Sequence, residues 1–201
     1  MRSLTFVYKV HGNLYVNLTN KCPCACTFCI RNNGDGAYGS DSLWLEREPT
    51  AAEVIEAVAG YNEDSYDEIV FCGYGEPTEK LDVLLEVAKE LKSRYKKIVR
   101  LNTNGLGSRI NGKNIAPLLG DAVDIVSVSM NAGSSEEYNR LCRPKWDDGF
   151  DEMLHFASEC KKYVPKVMFS VVDVIPAEEI ERCRSIADRL GIYLRVRKYD
   201  S

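Results

Sequence analysis

At 201 residues, with 45% hydrophobic and 28% charged side chains, the chain has enough apolar material for one well-packed domain and is too short for two large ones. A net charge of -4 argues against a nucleic-acid backbone as partner, because phosphate binding rests on many Lys and Arg contacts, although a local basic patch stays open. The opening MRSLTFVYKVHGN lacks the apolar stretch of a signal peptide and no later run reaches the length of a membrane span, so a cytoplasmic protein is expected.

The first predicted element is a hairpin. Ser3 to Val10 and Leu14 to Leu18 are strand-like runs joined by His11, Gly12 and Asn13. Residues 1–20 thus supply the hairpin and first strand, and residues 21–49 a cysteine-rich loop followed by the long Gly-rich connection RNNGDGAYGSDSLWLEREP. Loops of that length in a small domain tend to be functional, and Leu43 and Trp44 either anchor it to the core or cover a ligand.

Helices and strands then alternate, the pattern of a parallel sheet wrapped by helices. Ala51 to Gly60 reads as a helix, Glu68 to Cys72 as a strand, and Lys80 to Tyr95 as an amphipathic helix with Leu81, Leu84, Leu85, Val87, Ala88 and Leu91 as its apolar residues. Ile98 to Leu101 follows as a strand, Ile115 to Leu119 as a short helix, and Val123 to Met130 as a buried strand. Helices over Ser134 to Leu141 and Phe150 to Tyr163, a strand from Val167 to Ile175, a helix from Ala177 to Leu190 ended by Gly191, and a strand from Ile192 to Tyr199 complete the chain. Six strands with parallel crossovers are too few for a closed eight-unit barrel. The expected fold is an α/β partial, open six-stranded β/α barrel with an N-terminal β-hairpin, and a doubly wound sheet is the alternative.

Four of the eight cysteines crowd into CPCACTFC, between Cys22 and Cys29. In a reducing compartment that crowding points to metal binding or redox chemistry over disulfides. Cys22, Cys26 and Cys29 form a CxxxCxxC triplet, and three thiolates on a cubane that usually takes four would leave one iron open to a small molecule. A zinc site usually draws on two separated ligand pairs, whereas the next cysteine is Cys72 and the chain has two histidines. An electron-transfer cluster would need a fourth ligand, for which Cys24, wedged between two others, is the near candidate. No second cysteine cluster accompanies this one, which argues against auxiliary iron–sulfur sites.

In barrels of this kind the site gathers at the C-terminal strand ends, and here those ends are polar: Asn17, Thr19 and Asn20, then GYGEP at 73–77, Asn102 to Gly105, Ser129 to Asn131, Asp173, and finally Arg195 and Arg197. Asn104-Gly105 reads first as a turn. Asp173, in an otherwise apolar strand, is expected to face the barrel mouth.

The triplet, Phe28 before its last cysteine, and GYGEP after the next strand resemble the radical S-adenosylmethionine (SAM) superfamily. The segments LYVNLTNKCPCACTFCIRN, FCGYGEPT, LNTNG and SMNA with YNRLCRP are most similar to the TatD-associated radical SAM proteins, and the likeness runs over nearly all of 1–201 as a single domain. The resemblance implies a 4Fe-4S cluster on Cys22, Cys26 and Cys29, without Cys24. It implies SAM on the fourth iron and reductive cleavage of SAM to a deoxyadenosyl radical that takes hydrogen from a substrate. Cofactor contacts would come from Phe28 against the adenine, from Tyr74, Gly75 and Glu76 of GYGEP, and from Asn102, Thr103, Ser129 and Asn131. Tyr74 stands where the family's GGEP has glycine, and Gly75 would let backbone approach SAM. Arg143 is the candidate for the methionine carboxylate, with a surface ion pair as its other reading.

No residue is assigned a catalytic role. Cys142 is a candidate thiol donor, while Cys72, Cys160 and Cys183 read as small buried hydrophobes. The substrate, a purine-like small molecule or a partner protein, stays open. An electron donor such as flavodoxin or ferredoxin and a link to a TatD-type nuclease are implied partners. A noncatalytic iron–sulfur or zinc module explains the cysteines but not GYGEP.

Overall fold

The sheet starts on a two-residue turn. In the computed structural model, which describes residues 2–199, β1 (Val7–Val10) pairs antiparallel with β2 (Asn13–Val16), Val10 opposite Asn13 and Tyr8 opposite Tyr15. His11 and Gly12 both have positive φ, 45° and 81°, as a type I′ turn demands. Asn13 therefore belongs to the strand. The stretch before Val7 leaves the hairpin, and Ser3 instead bridges Leu45 in the long connection.

From β2 onward every neighbour is parallel. The sheet runs β1-β2-β3-β4-β5-β6-β7, with β3 Glu68–Phe71, β4 Ile98–Thr103, β5 Ile125–Ser129, β6 Lys166–Val172 and β7 Tyr193–Arg197. The two ends, β1 and β7, do not pair. Six parallel strands plus the hairpin strand thus form an open partial barrel, and the sequential order rules out the doubly wound alternative, whose strand order reverses at a switch point.

The crossovers carry α1 (Ala51–Ala59), α2 (Leu81–Arg94), α3 (Gly107–Asn111) with α4 (Ala116–Leu119), α5 (Ser135–Cys142) with α6 (Gly149–Cys160), and α7 (Ala177–Leu190). Thr50 opens α1 with a capping box: its hydroxyl accepts from Glu53 N, and Glu53 reaches back to Thr50 N. Gly191, at φ 60°, ends α7 in the left-handed conformation. The helix α3 was not expected, because five residues carry no readable period.

Alternation along the strands divides the sheet into two faces. The outward face pairs Val16 with Phe71, Phe71 with Leu101, Leu101 with Val126 and Phe169 with Leu194, and it packs against helix residues such as Val54, Leu84, Leu91, Met153, Phe156 and Cys183. Leu84 and Leu91 are fully buried, and burial of one such leucine stabilises by about 1.5–3 kcal/mol. The inward face is polar: Asn102 lies beside Ser127, Ser129 beside Ser170, and Ser170 beside Arg195. At its lower end Arg100 pairs with Glu68 at 2.9 Å. A greasy exterior under helices and a polar lumen place the chemistry inside the curve.

Candidate active site

One cavity of about 280 Å³ opens at the C-terminal ends of the strands. Cys22, Cys24, Cys26, Phe28 and Cys29 line it from the loop after β2, Cys72 to Pro77 from the loop after β3, Asn102 to Asn104 from β4, and Ser129 and Asn131 from β5. The structure thus brings together Cys22, Cys26, Cys29, Phe28, Tyr74, Gly75, Glu76, Asn102, Thr103, Ser129 and Asn131.

Several expected residues stay outside, Arg143 and Asp173 together with Asn17, Thr19, Asn20, Gly105, Met130 and Arg195 of the strand ends. Arg143 adopts φ 45° as the left-handed C-cap of α5, and its exposed side chain does not line the cavity; only its carbonyl oxygen serves the cysteine loop, accepting from Ala25 N at 3.2 Å. Asp173 lies just past β6, exposed, and its Oδ1 accepts from Tyr199 N at 2.7 Å. Water and a backbone donor satisfy the charge that seemed costly inside a strand.

All eight cysteines are free thiols, but they differ in setting. Cys22, Cys26 and Cys29 are half-buried, whereas Cys24 is 5% exposed, bridged through its backbone to Pro144. The neighbouring Cys142 thiol, then that of Cys24, pulls the Cys26 thiol down to about 4, and the proximity of Cys24 lowers Cys22 as well. The same proximity pushes Cys24 far up. Desolvation raises Cys29. Cys142 is buried behind Cys26, outside the cavity, with Asn131 Nδ2 at 3.8 Å from its sulfur. Among the described residues no three Cys, His, Asp or Glu side chains converge on one ion position. A cubane needs no common point, because each thiolate takes a different iron. Three half-exposed thiols in one loop, two already biased toward thiolate, fit such a cluster.

GYGEP also has a structural role. Gly75 is needed for packing: a Cβ there would overlap the Thr19 carbonyl oxygen and stand 2.6 Å from that of Lys21. This contact, with Glu76 N donating to Lys21 O at 2.8 Å, holds the turn against the cysteine loop. Glu76 is 4% exposed and accepts from Thr78 Oγ1 at 2.8 Å, Thr103 Oγ1 at 2.7 Å and Asn104 N at 2.8 Å. Burial pushes its carboxyl up and these donors pull it partly back. Its role is to staple the end of β3 to the end of β4.

Tyr74 is an anchor. Its hydroxyl lies 2.9 Å from both the Gly34 and the Gly36 carbonyl oxygens, and its ring meets Trp44 edge-on at 5.1 Å. Asn17 Nδ2 donates to Leu43 O at 2.8 Å, and Asn20 exchanges two bonds with the Leu45 backbone, so the polar end of β2 also ties down this connection. Leu43 both anchors and covers, being 1% exposed and part of the cavity wall. Tyr74→Phe is expected to lose about 1 kcal/mol of local stability. Cleavage between residues 31 and 49 under limited proteolysis should then rise about fivefold.

Sequence reasoning missed several wall residues. Asn104 makes the expected turn, Oδ1 accepting from Leu106 N at 2.8 Å, yet its Nδ2 also stands 3.8 Å from the sulfurs of Cys22 and Cys24. Tyr8, Tyr15, Tyr38 and Tyr199 line the far side with Cys72, Lys198 and Arg197, of which Arg197 was expected from the end of the last strand. The hairpin register, which sets Tyr8 opposite Tyr15, was the one signal for them.

Residues 16–190 match the family described as Radical SAM superfamily. The chain belongs to the radical SAM superfamily. Its cofactors are accordingly a 4Fe-4S cluster and SAM. Among curated relatives, the molybdenum cofactor biosynthesis protein moc-5 of Caenorhabditis elegans is 27% identical over 163 residues, 81% of this chain and 25% of that protein. A probable GTP 3',8-cyclase of Thermococcus kodakarensis is 29% identical over 160 residues, 79% of this chain and 47% of the relative. The chain therefore spans between a quarter and about half of these relatives' length. In fold, the radical SAM chain is similar to Streptococcus suis SuiB bound to precursor peptide SuiA, at TM-score 0.66 and 18% identity over 92% of this chain and 39% of that one. It is also similar to native anSMEcpe with bound AdoMet, at 0.62 and 18% over 93% and 51%. Among the described residues no helix is long and apolar enough to cross a membrane.

Proposed function

We propose that this radical SAM chain is an enzyme domain in which Cys22, Cys26 and Cys29 hold the cluster and the wall opposite them holds SAM. The observation that carries this reading is the meeting, in one cavity, of the three half-exposed thiols with two buried acceptors lacking any protein partner, Asn102 Oδ1 and Asn131 Oδ1. Such orphan acceptors call for a ligand with donors, as the SAM amino group and ribose hydroxyls are. When bound, the cluster and SAM supply one-electron cleavage and hydrogen abstraction from a substrate.

The chain's own residues position and shield. Phe28 offers a ring for the adenine, and Gly75 and Glu76 fix the wall beside the cysteines. Thr103 and Ser129 add hydroxyls at the ends of β4 and β5, and Asn131 is held at φ 59°, a conformation tolerated by asparagine and used where a side chain must be aimed. Tyr74 and Trp44 keep the 31–49 connection over the cavity and limit water. One sheet with a continuous outer core supports reading 1–201 as one domain.

Relatives named as GTP 3',8-cyclases favour a small, purine-like substrate over a partner protein. The segments around the cysteines, GYGEP, LNTNG and YNRLCRP support reading the chain as one of the TatD-associated group, with a functional link to a TatD-type nuclease and reduction by flavodoxin or ferredoxin. Clustered free thiols suit the cytosol.

The test is the electron paramagnetic resonance spectrum of anaerobically reconstituted, reduced protein with and without SAM. A cluster signal that SAM perturbs is expected. A signal indifferent to SAM, or bound zinc without sulfide, would favour a noncatalytic metal module instead.

A further inference from the structure

The cavity has a second end. Away from the cysteines it is walled by Tyr8 and Tyr15 on the hairpin, Tyr38 on the long connection, and Arg197, Lys198 and Tyr199 at the end of β7. Tyr199 is joined to that connection, its Oη accepting from Asn33 Nδ2 at 3.0 Å, so the gap between β1 and β7 is spanned at this height. The chain carries a net charge of -4, yet this wall is cationic. Among the described residues the one acidic side chain lining the cavity is Glu76, and its oxygens are taken up by Thr78, Thr103 and Asn104. Asp173, whose backbone N donates to Arg197 O at 2.9 Å, turns its Oδ1 to Tyr199 N at 2.7 Å. Arg100, lower on the same face, is paired with Glu68. Among the described residues Arg197 has no carboxylate partner, and it lies close enough to Cys72 for its charge to act on that thiol.

We propose that this end is the substrate subsite and that it takes a small planar molecule bearing an acid group, with the acid on Arg197 and the planar group against the tyrosines. The inference rests on the radical SAM reading, which gives the cysteine end to the cluster and SAM. A guanidinium presents parallel N–H donors that match a carboxylate or phosphate, and with no ion-pair partner among the described residues Arg197, exposed at the cavity rim, keeps that capacity for a ligand. Tyrosine rings add flat apolar area at little entropic cost, and Tyr8 is fixed in the wall by its hydroxyl, which donates to Cys72 O at 3.1 Å.

Benzoate, phenyl phosphate and neutral benzamide are the probes. Each is titrated calorimetrically into anaerobic, cluster-loaded protein saturated with SAM, in wild type, Arg197→Gln and Arg197→Lys. Benzoate or phenyl phosphate should bind and benzamide should not, the stronger of the two identifying the acid. Arg197→Gln should weaken binding by about ten- to a hundredfold, with Arg197→Lys between. Benzamide binding equal to benzoate, no binding of either anion, or an unchanged affinity in Arg197→Gln would overturn the subsite. So would loss of the SAM-induced spectral change in Arg197→Gln, since Arg197 would then serve the cofactor. Protein that takes up no iron sinks the radical SAM site itself, whereas protein that loads iron, responds to SAM and ignores both anions sinks only the subsite.

Discussion

Alanine at Cys22, Cys26 or Cys29 is expected to take iron content from about four per chain to near zero after anaerobic reconstitution, while Cys24→Ala keeps it. Each of the three thiolates holds a different iron, so losing one leaves two open corners and a cluster that disassembles. Cys24 differs in setting. It is buried where the others are half-exposed, its backbone is fixed by the bridge to Pro144 and by Arg31 Nη2 on its carbonyl at 3.1 Å, and its sulfur has Asn104 Nδ2 at 3.8 Å. Iron and sulfide analysis with far-ultraviolet circular dichroism separates ligand loss from unfolding, and Cys→Ser versions repeat the test with little change in volume. Equal iron loss in Cys24→Ala and Cys22→Ala would refute this ligand set.

Where a signal is local and periodic, sequence was enough. The helix α7 runs from Ala177 to Leu190 as its pattern predicts, and α2 shifts by one residue at each end, because both bury a stripe at helical spacing. The cysteine triplet and the polar strand ends were equally plain, being residue types whose chemistry does not depend on their neighbours. What sequence could not show is which polar residue turns inward. Arg143 and Asn131 both take positive φ after apolar runs, yet the first caps a helix in solvent and the second lines the cavity. Only the path of the chain beyond each decides that. The tyrosine wall draws on positions 8, 15, 38 and 199, four places with no shared period, and it exists because an open barrel brings its two ends toward the same loop. Tyr74 read as a tolerated departure, but its hydroxyl and ring hold the connection in place.

Gly75→Ala is expected to cost more than any other single methyl added to this site. Its Cβ would meet backbone, the Thr19 and Lys21 carbonyl oxygens, which cannot rotate aside as a side chain can. The turn from Gly73 to Pro77 would have to move off the cysteine loop, stretching the 2.8 Å bond from Glu76 N to Lys21 O and pulling on the carboxylate that staples β3 to β4. Overpacking of this kind costs about 1–3 kcal/mol, and the disturbed hydrogen bond adds about 1 kcal/mol. For a chain of this size that corresponds to a fall in Tm of roughly 5–15 °C. Cluster loading should fall with it, since Cys22 follows Lys21 directly. Gly34→Ala is the matched control, because a Cβ there meets nothing within 4 Å and its φ is not positive. It should leave both Tm and iron uptake unchanged. Gly73→Ala falls between, since the group it strikes is the Asn17 side chain, which can yield only by surrendering its bond to Leu43 O. A Gly75→Ala protein with wild-type Tm and iron content would mean that the turn and the cysteine loop do not touch as described, and that GYGEP contributes to the site through its side chains alone.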